Sequence, residues 1–265
     1  MKRDKILLFV PMYNCENQIP RVLEKISEKV QKVLAEILVV DNGSTDNSLK
    51  AARKSLQKLK HIKSTLVQNT QNYGLGGSHK VAFNYCLDKG YDYCIVLHGD
   101  DQADINDLVP YLESSEYRNF SSFLGSRFHK ESKLIGYSKF KTLGNKGLNL
   151  FISICTGKYI TDQGSGINMY DAAYLKDKFY LNFPNDLTFN VFMLLHTIWS
   201  KSPFKYFPIS WREFDQVSNA KVFKQGFRIL RLIFTYVFKS RSIFNKNVNQ
   251  YSTIDYSFKI KYASK

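Results

Sequence analysis

Three short segments of this chain hold side chains of the types that bind phosphorylated ligands. In ILVVDNGSTDNS an apolar run ends at Asp41, followed by Gly43 and the helix-capping residues Ser44 and Asp46. A carboxylate at a strand end can accept a hydrogen bond from a base or a ribose; taken alone, the segment also reads as a turn with an N-cap. LHGDDQAD crowds Asp100, Asp101, Gln102 and Asp104 together. Oxygen ligands at such a point can hold Mg²⁺ or Mn²⁺, which would neutralise a leaving diphosphate, although an acidic turn before a helix is the simpler alternative. Asn72, Gly74, Gly76 and Gly77 in NYGLGGSHK suit a backbone that approaches a ligand closely. The spacing is neither a P-loop nor a GxGxxG after the first strand.

The elements that must position these residues follow from the apolar pattern. Short apolar runs at 6–10, 37–40, 64–68 and 93–97 read as strands, and the longer amphipathic stretches 19–34, 47–59 and 76–89 read as helices. That alternation builds a parallel sheet with crossover helices. Each strand ends in a polar or Gly-rich segment, so PMYNCEN, DNGSTDN, QNTQNYGLGG and HGDDQAD would converge on one crevice at the carboxyl edge. Beyond residue 124 the pattern is irregular, with helices at 138–155 and about 187–199 and a polar turn TDQGSG. At 221–242, Lys221, Lys224, Arg228, Arg231 and Lys239 fall within a narrow arc of a helix whose other residues are apolar. Such a helix suits a membrane interface, and equally a core helix with one solvated face.

Composition bounds the answer. With 265 residues, 44% apolar and 15% aromatic, the chain can bury a substantial core, which excludes disorder. The longest uncharged apolar candidate, 187–200, stops at 14 residues, short of the roughly 18 a spanning helix needs. The first residues read as a strand, not a signal. Net charge is +15, and 13 basic against 3 acidic residues lie from Lys201 onward. A nucleic acid, an anionic membrane or phosphorylated substrates would all suit this field. Cys15, Cys86, Cys94 and Cys155 lie singly, which reads as reduced thiols in a cytoplasmic protein.

Taken together, the segments resemble the family 2 glycosyltransferases, whose nucleotide-sugar domain is a GT-A type unit. VPMYNCENQI is similar to the family's opening motif at Val10, Pro11, Tyr13, Asn14 and Glu16. ILVVDNGSTDNS resembles the motif whose first Asp contacts the base, here Asp41, with Gly43. NYGLGGSHK resembles the N-x-G-x-G-G stretch through Asn72, Gly74 and Gly76, and LHGDDQAD resembles the metal-binding D-x-D-x-Q at Asp100 and Gln102. The second half resembles the branch related to polyprenyl-phosphate sugar synthases in GSRF, TLGNKGLN, TDQGSGINMY and PISWREF with VSNAK. His98 replaces the first Asp of the metal motif and Asn168 replaces an Arg after S-G, so one anionic ligand and one phosphate contact are changed.

The resemblance implies a GT-A type, Rossmann-like, mostly parallel α/β sheet over residues 1–215, and the basic stripe adds an amphipathic segment over 216–265 that suits association with a membrane. It implies an inverting transfer of sugar from a nucleotide-diphosphate donor to a membrane-linked or saccharide acceptor, in cell-surface polysaccharide or glycolipid synthesis. Mg²⁺ or Mn²⁺ would sit at Asp100 and Gln102, with His98 able to fill a coordination position, and Arg127 and Arg212 would face phosphates. A hydroxyl acceptor requires a general base, for which Asp186 and Asp162 are the candidates. A polyprenyl phosphate acceptor, the alternative, is already anionic and requires none. The expected location is cytoplasmic, peripheral on the inner face of the cytoplasmic membrane, with no nucleic-acid partner. Three rivals remain. A nucleotidyltransferase would need a Gly-rich basic loop after the first strand, which PMYNCENQ lacks. A nucleic-acid-binding protein would use its C-terminal charge, but Phe223, Phe227, Tyr236 and Phe238 are spaced as a buried helix face. An inactive member is suggested by His98.

Overall fold

The structure, a computed structural model, describes residues 3–215, 222–244 and 253–264. Lys221 and the VSNAK stretch lie outside the described residues, and only the backbone of Lys224 is described. The first half runs β1 (Ile6–Met12), α1 (Ile19–Glu24), α2 (Glu28–Val33), β2 (Glu36–Asp41), α3 (Ser48–Leu56), β3 (Lys63–Asn69), α4 (Gly74–Asp88) and β4 (Tyr93–Leu97). It continues through α5 (Val109–Ser114), β5 (Ser122–Ser126), β6 (Lys133–Ile135), α6 (Lys139–Thr156), β7 (Ile167–Asp171), α7 (Ala172–Leu175) and α8 (Phe189–Trp199). The described chain closes with β8 (Phe204–Pro208), β9 (Ser210–Arg212), α9 (Val222–Phe244) and β10 (Phe258–Ala263).

Eight strands form one sheet in the order β10-β3-β2-β1-β4-β7-β5-β8, and β6 pairs with β9 apart from it. Strands β3, β2, β1 and β4 are mutually parallel, as the alternating pattern requires. Every residue of β1 and of β2 is buried, the burial expected of parallel strands covered on both faces. Side-chain alternation divides the core: Leu8, Val10, Ile37 and Val39 pack under α1, α2 and α3, and Leu7, Phe9, Leu38 and Val40 pack under α4, α8 and α9.

Three features depart from the sequence reading. The single helix expected over 19–34 is two, because Ser27 accepts a hydrogen bond from Val30 N at 3.4 Å and starts α2 afresh. β7 runs antiparallel between β4 and β5. Within the expected 216–265 segment, the described residues join the main fold: α9 packs on the core, and β10 adds antiparallel to β3 at the edge of the main sheet. All four cysteines are free thiols.

Candidate active site

The order of β2, β1 and β4 makes β1 the switch point of the sheet, and its carboxyl end carries the expected cluster. Met12 pairs with Asp41 on one side, and on the other Gly99 N donates to Pro11 O at 3.0 Å. Asp41 and Asp100 therefore flank the end of β1. The loops there are stitched together. Asn14, in the left-handed region at φ 49°, accepts from Thr45 N at 2.8 Å, and its own N–H donates to Ser44 Oγ at 3.0 Å. Glu16 accepts from Asn47 N at 2.9 Å. Asn14 and Glu16 thus shape the loops through their own hydrogen bonds, while Pro11 is buried and Tyr13 stays 41% exposed at the rim.

Asp41 is fully buried, and its carboxylate accepts from Ser44 N, on the turn made by Gly43, and from Gln68 Nε2 at 2.8 Å. The sequence reading has it contacting a base; in the structure its nearest work is to hold Gln68 and the β2–α3 turn. Beside it, Asn42 accepts from Asn69 Nδ2 and from Tyr73 N, each at 2.9 Å, and donates to Asn72 Oδ1 at 2.7 Å. This polar ladder carries the end of β2 into a cleft of about 420 Å³ whose lining includes Asn72, Gly74, Asn185 and Asp186.

The glycines there serve packing as well as any ligand. A Cβ on Gly74 would lie 2.4 Å from Asn185 O, and one on Gly76 2.5 Å from Pro184 O. Gly74 also has φ +75°, and Gly76 N donates to Asn185 O at 2.8 Å. Their smallness therefore seats the 184–186 turn, which brings Asp186 to the cleft. Lys80, missed in the sequence reading although it ends the quoted NYGLGGSHK, fastens the same turn. Its fully buried ammonium shares its three hydrogens among four oxygens, Leu181 O at 3.2 Å, Phe183 O, Asn185 Oδ1 at 2.8 Å and Tyr256 OH at 3.0 Å. Burial pushes its pKa down to about 7, against which these oxygens favour the charged form. Asp186 itself is half-exposed and pairs with Arg228 of α9 at 3.2 Å.

On the other side of β1 the acidic cluster sorts itself. Asp101, 4% exposed, pairs with Arg21 and Lys25 of the first helical layer. Asp104 pairs with Arg212 at 2.9 Å. Asp100 keeps 38% of its side chain exposed and accepts from Gln102 N at 3.1 Å. Desolvation by the surrounding protein, with a smaller contribution from Asp101, pushes its carboxyl up to about 6, a shift that solvent on its open side moderates. His98 Nδ1 lies 4.0 Å from Asp100 Oδ2, and its buried Nε2 has no hydrogen-bond partner among the described residues. Burial, and secondarily the Arg127 charge, lowers its pKa to about 4, so the imidazole is neutral and able to ligate. Gln102 Nε2 reaches Glu213 at 3.5 Å. Among the described residues no group of three or more His, Cys, Asp or Glu could hold a metal by itself. The donors present fit an ion of the Mg²⁺ or Mn²⁺ type that takes one carboxylate and completes its shell with water and substrate phosphate.

Two expectations for charged residues are corrected by pairing. Arg127 and Asp162 bind each other: Nε donates to Oδ2 and Nη2 to Oδ1, both at 2.8 Å, with Gly164 O also accepting from Nη2 at 3.0 Å. Trp211, Phe128 and Tyr137 lie around the guanidinium at 5.0, 5.3 and 5.9 Å. Arg127 is thus spent on a buried fork and does not face an open phosphate site. Asp162, with no exposed side-chain surface, has no free face with which to act as a base. Arg212 is a quarter exposed, tied to Asp104 on one nitrogen, with Nε unpartnered among the described residues.

A model described as Glycosyl transferase family 2 matches residues 8–177. Undecaprenyl-phosphate mannosyltransferase of Micrococcus luteus is 25% identical over 174 residues, covering 65% of this chain and 68% of that protein. Undecaprenyl-phosphate 4-deoxy-4-formamido-L-arabinose transferase of Yersinia enterocolitica is 28% identical over 174 residues, covering 64% of this chain and about half, 49%, of its own length. Glucosyl-3-phosphoglycerate synthase of Mycobacterium tuberculosis, solved with Mn²⁺, uridine-diphosphate and phosphoglyceric acid, superposes with a TM-score of 0.64 at 13% identity. The match covers 89% of this chain and 79% of that one, and at this identity it is a likeness of fold.

Proposed function

The chain belongs to glycosyl transferase family 2, and from that premise we propose that it moves a sugar, with inversion, from a nucleotide-diphosphate donor to a membrane-linked acceptor. The carrying observation is that Asp41 and Asp100 flank the carboxyl end of one buried strand, and that Asn42, next to Asp41, donates to Asn72 of the cleft that also holds Gly74 and Asp186. The base and ribose lie toward Tyr13, Asn72 and the Asp41–Gln68 pair. The diphosphate lies toward Asp100, near which Arg212, paired with Asp104 through one nitrogen, is the guanidinium we assign to it. Asp100 would hold a divalent ion, with His98 and Gln102 beside it. When bound, that ion neutralises charge growing on the departing diphosphate. The solved fold neighbour holds Mn²⁺ and uridine-diphosphate, which supports a metal of this class.

Asp186, half-exposed and lining the cleft, is our candidate to take the acceptor proton, a role for which it would have to leave its pair with Arg228. The second reading, a polyprenyl phosphate acceptor, is supported by the relatives' names and by Arg228, whose guanidinium stands at the cleft mouth against Asp186. In that case no base is needed. With either acceptor we assign the work to a membrane surface, in polysaccharide or glycolipid assembly.

The test is a panel of nucleotide sugars measured for thermal stabilisation with and without Mn²⁺. At least one donor should stabilise the protein in a Mn²⁺-dependent way, and Asp100→Asn should remove that dependence. Stabilisation by no nucleotide sugar would overturn the reading. Asp186→Asn separates the acceptors, because transfer to a hydroxyl should be lost while transfer to a lipid phosphate should survive.

A further inference from the structure

Helices α6 and α9 turn apolar side chains outward as well as inward. On α9, Ile229, Leu232 and Ile233 are buried against the core, as an amphipathic helix requires. On the opposite side Phe227, Leu230, Phe234 and Phe238 form a second stripe, with Phe227 72% and Phe238 77% exposed. On α6, Phe140, Leu143, Leu150 and Ile154 lie along one face at helical spacing, each more than three-fifths exposed. The two stripes adjoin, because Phe151 of α6 meets Phe234 of α9 with ring centroids 5.7 Å apart. Scattered exposed apolar residues are ordinary on a protein surface, but stripes on two adjoining helices are not.

Charge says what covers them. Neither helix contains an acidic residue, while α6 carries three lysines and α9 carries five lysines and arginines. Exposed Lys139 and Lys146 border the α6 stripe, and exposed Arg228 and Arg231 border the α9 stripe. No helix among the described residues is long and apolar enough to cross a membrane. We infer that α6 and α9 together form a docking face that lies in the interface of an anionic lipid bilayer, apolar stripes among the acyl chains and flanking cations at the headgroups. The sequence pattern pointed only to the C-terminal helix; the structure adds α6. The inference deepens, and rests on, the reading of a membrane-linked acceptor. Arg228, one of the cations bordering the α9 stripe, pairs with Asp186 of the cleft at 3.2 Å, which sets the proposed acceptor site next to the docking face.

The experiment is cosedimentation of the full 265-residue chain with phosphatidylcholine vesicles, with and without phosphatidylglycerol, alongside the nucleotide-sugar melting assay. The protein should sediment with the anionic vesicles, and more weakly as salt rises. The triple variant Leu143→Asp, Ile154→Asp, Phe238→Asp should lose at least about tenfold in vesicle affinity while keeping its melting temperature and donor response. Absence of sedimentation at low salt, or equal sedimentation by the variant, overturns the inference. So does a dimer that the same substitutions dissociate without any vesicle binding, since a second copy would then cover the face. A protein that ignores vesicles but answers Mn²⁺ and a nucleotide sugar fails here while the transferase reading stands; the converse pattern fails there.

Discussion

At the scale of single residues, pairing decides role. Asp100, Asp162 and Asp186 are the same chemical group, yet one opens to the β1 edge, one is locked in a buried fork, and one lines a cleft. Asp100→Asn should cost roughly 10²–10³ in turnover, with the melting temperature little changed, as read by steady-state rates and calorimetry. Asp162→Asn should behave oppositely. It leaves the Arg127 guanidinium buried beside a neutral amide, a loss of about 3–5 kcal/mol of stability, visible in denaturant titration before any assay. Asp186→Asn disrupts a half-exposed pair and should cost less than about 1 kcal/mol. Equal destabilisation by the last two substitutions would show that the burial contrast does not carry the argument for Asp186. None of these differences is visible in the sequence, where all three residues sit in polar segments near glycine or proline.

At the scale of elements, most of the first half was legible. The four parallel strands lie where the apolar runs place them, because strands buried on both faces, as β1 and β2 are, leave a nearly continuous apolar record, and β3 keeps only Leu66 and Val67 of it. The misses have local or long-range causes. Ser27 with Glu28 is a cap signal inside an otherwise continuous amphipathic stretch, and it splits the first helix. β10 is a short polar-alternating strand whose partner, β3, is supplied by a distant part of the chain. The glycine-rich entry to α4 was read for ligand contact, yet its tightest neighbours are Pro184 O and Asn185 O. Gly76→Ala should therefore destabilise the protein by about 1–3 kcal/mol through overpacking, measured as a fall in melting temperature without any ligand present. An unchanged melting temperature would mean that the 184–186 turn yields without cost.

At the scale of the whole molecule, three buried histidines set an acid limit. Burial lowers His79 to about 3, and His98 and His196 to about 4, from an ordinary 6.5. As pH falls below 6.5 the unfolded chain binds protons that the folded chain refuses, so the folding equilibrium constant drops by up to about a factor of ten per pH unit for each histidine. Asp100, Asp107 and Asp171, each held high by desolvation, work in the opposite direction over part of that window, but none of the three is fully buried. The net expectation is a falling melting temperature between about pH 6.5 and 4.5, with His79→Phe flattening the slope; a flat profile for the native chain would contradict it. What the sequence determined by itself is local and cumulative: strand positions, the polar tips that end them, the excess of positive charge, and the order of motifs that marks the family. Tertiary structure alone decided which charges are free. Asp162 meets Arg127 across 35 residues and Asp186 meets Arg228 across 42, and α6 reaches α9 through Phe151 and Phe234. A side chain's charge, access and task depend on what lies within a few ångströms of it, and chain reversal rather than spacing chooses those neighbours.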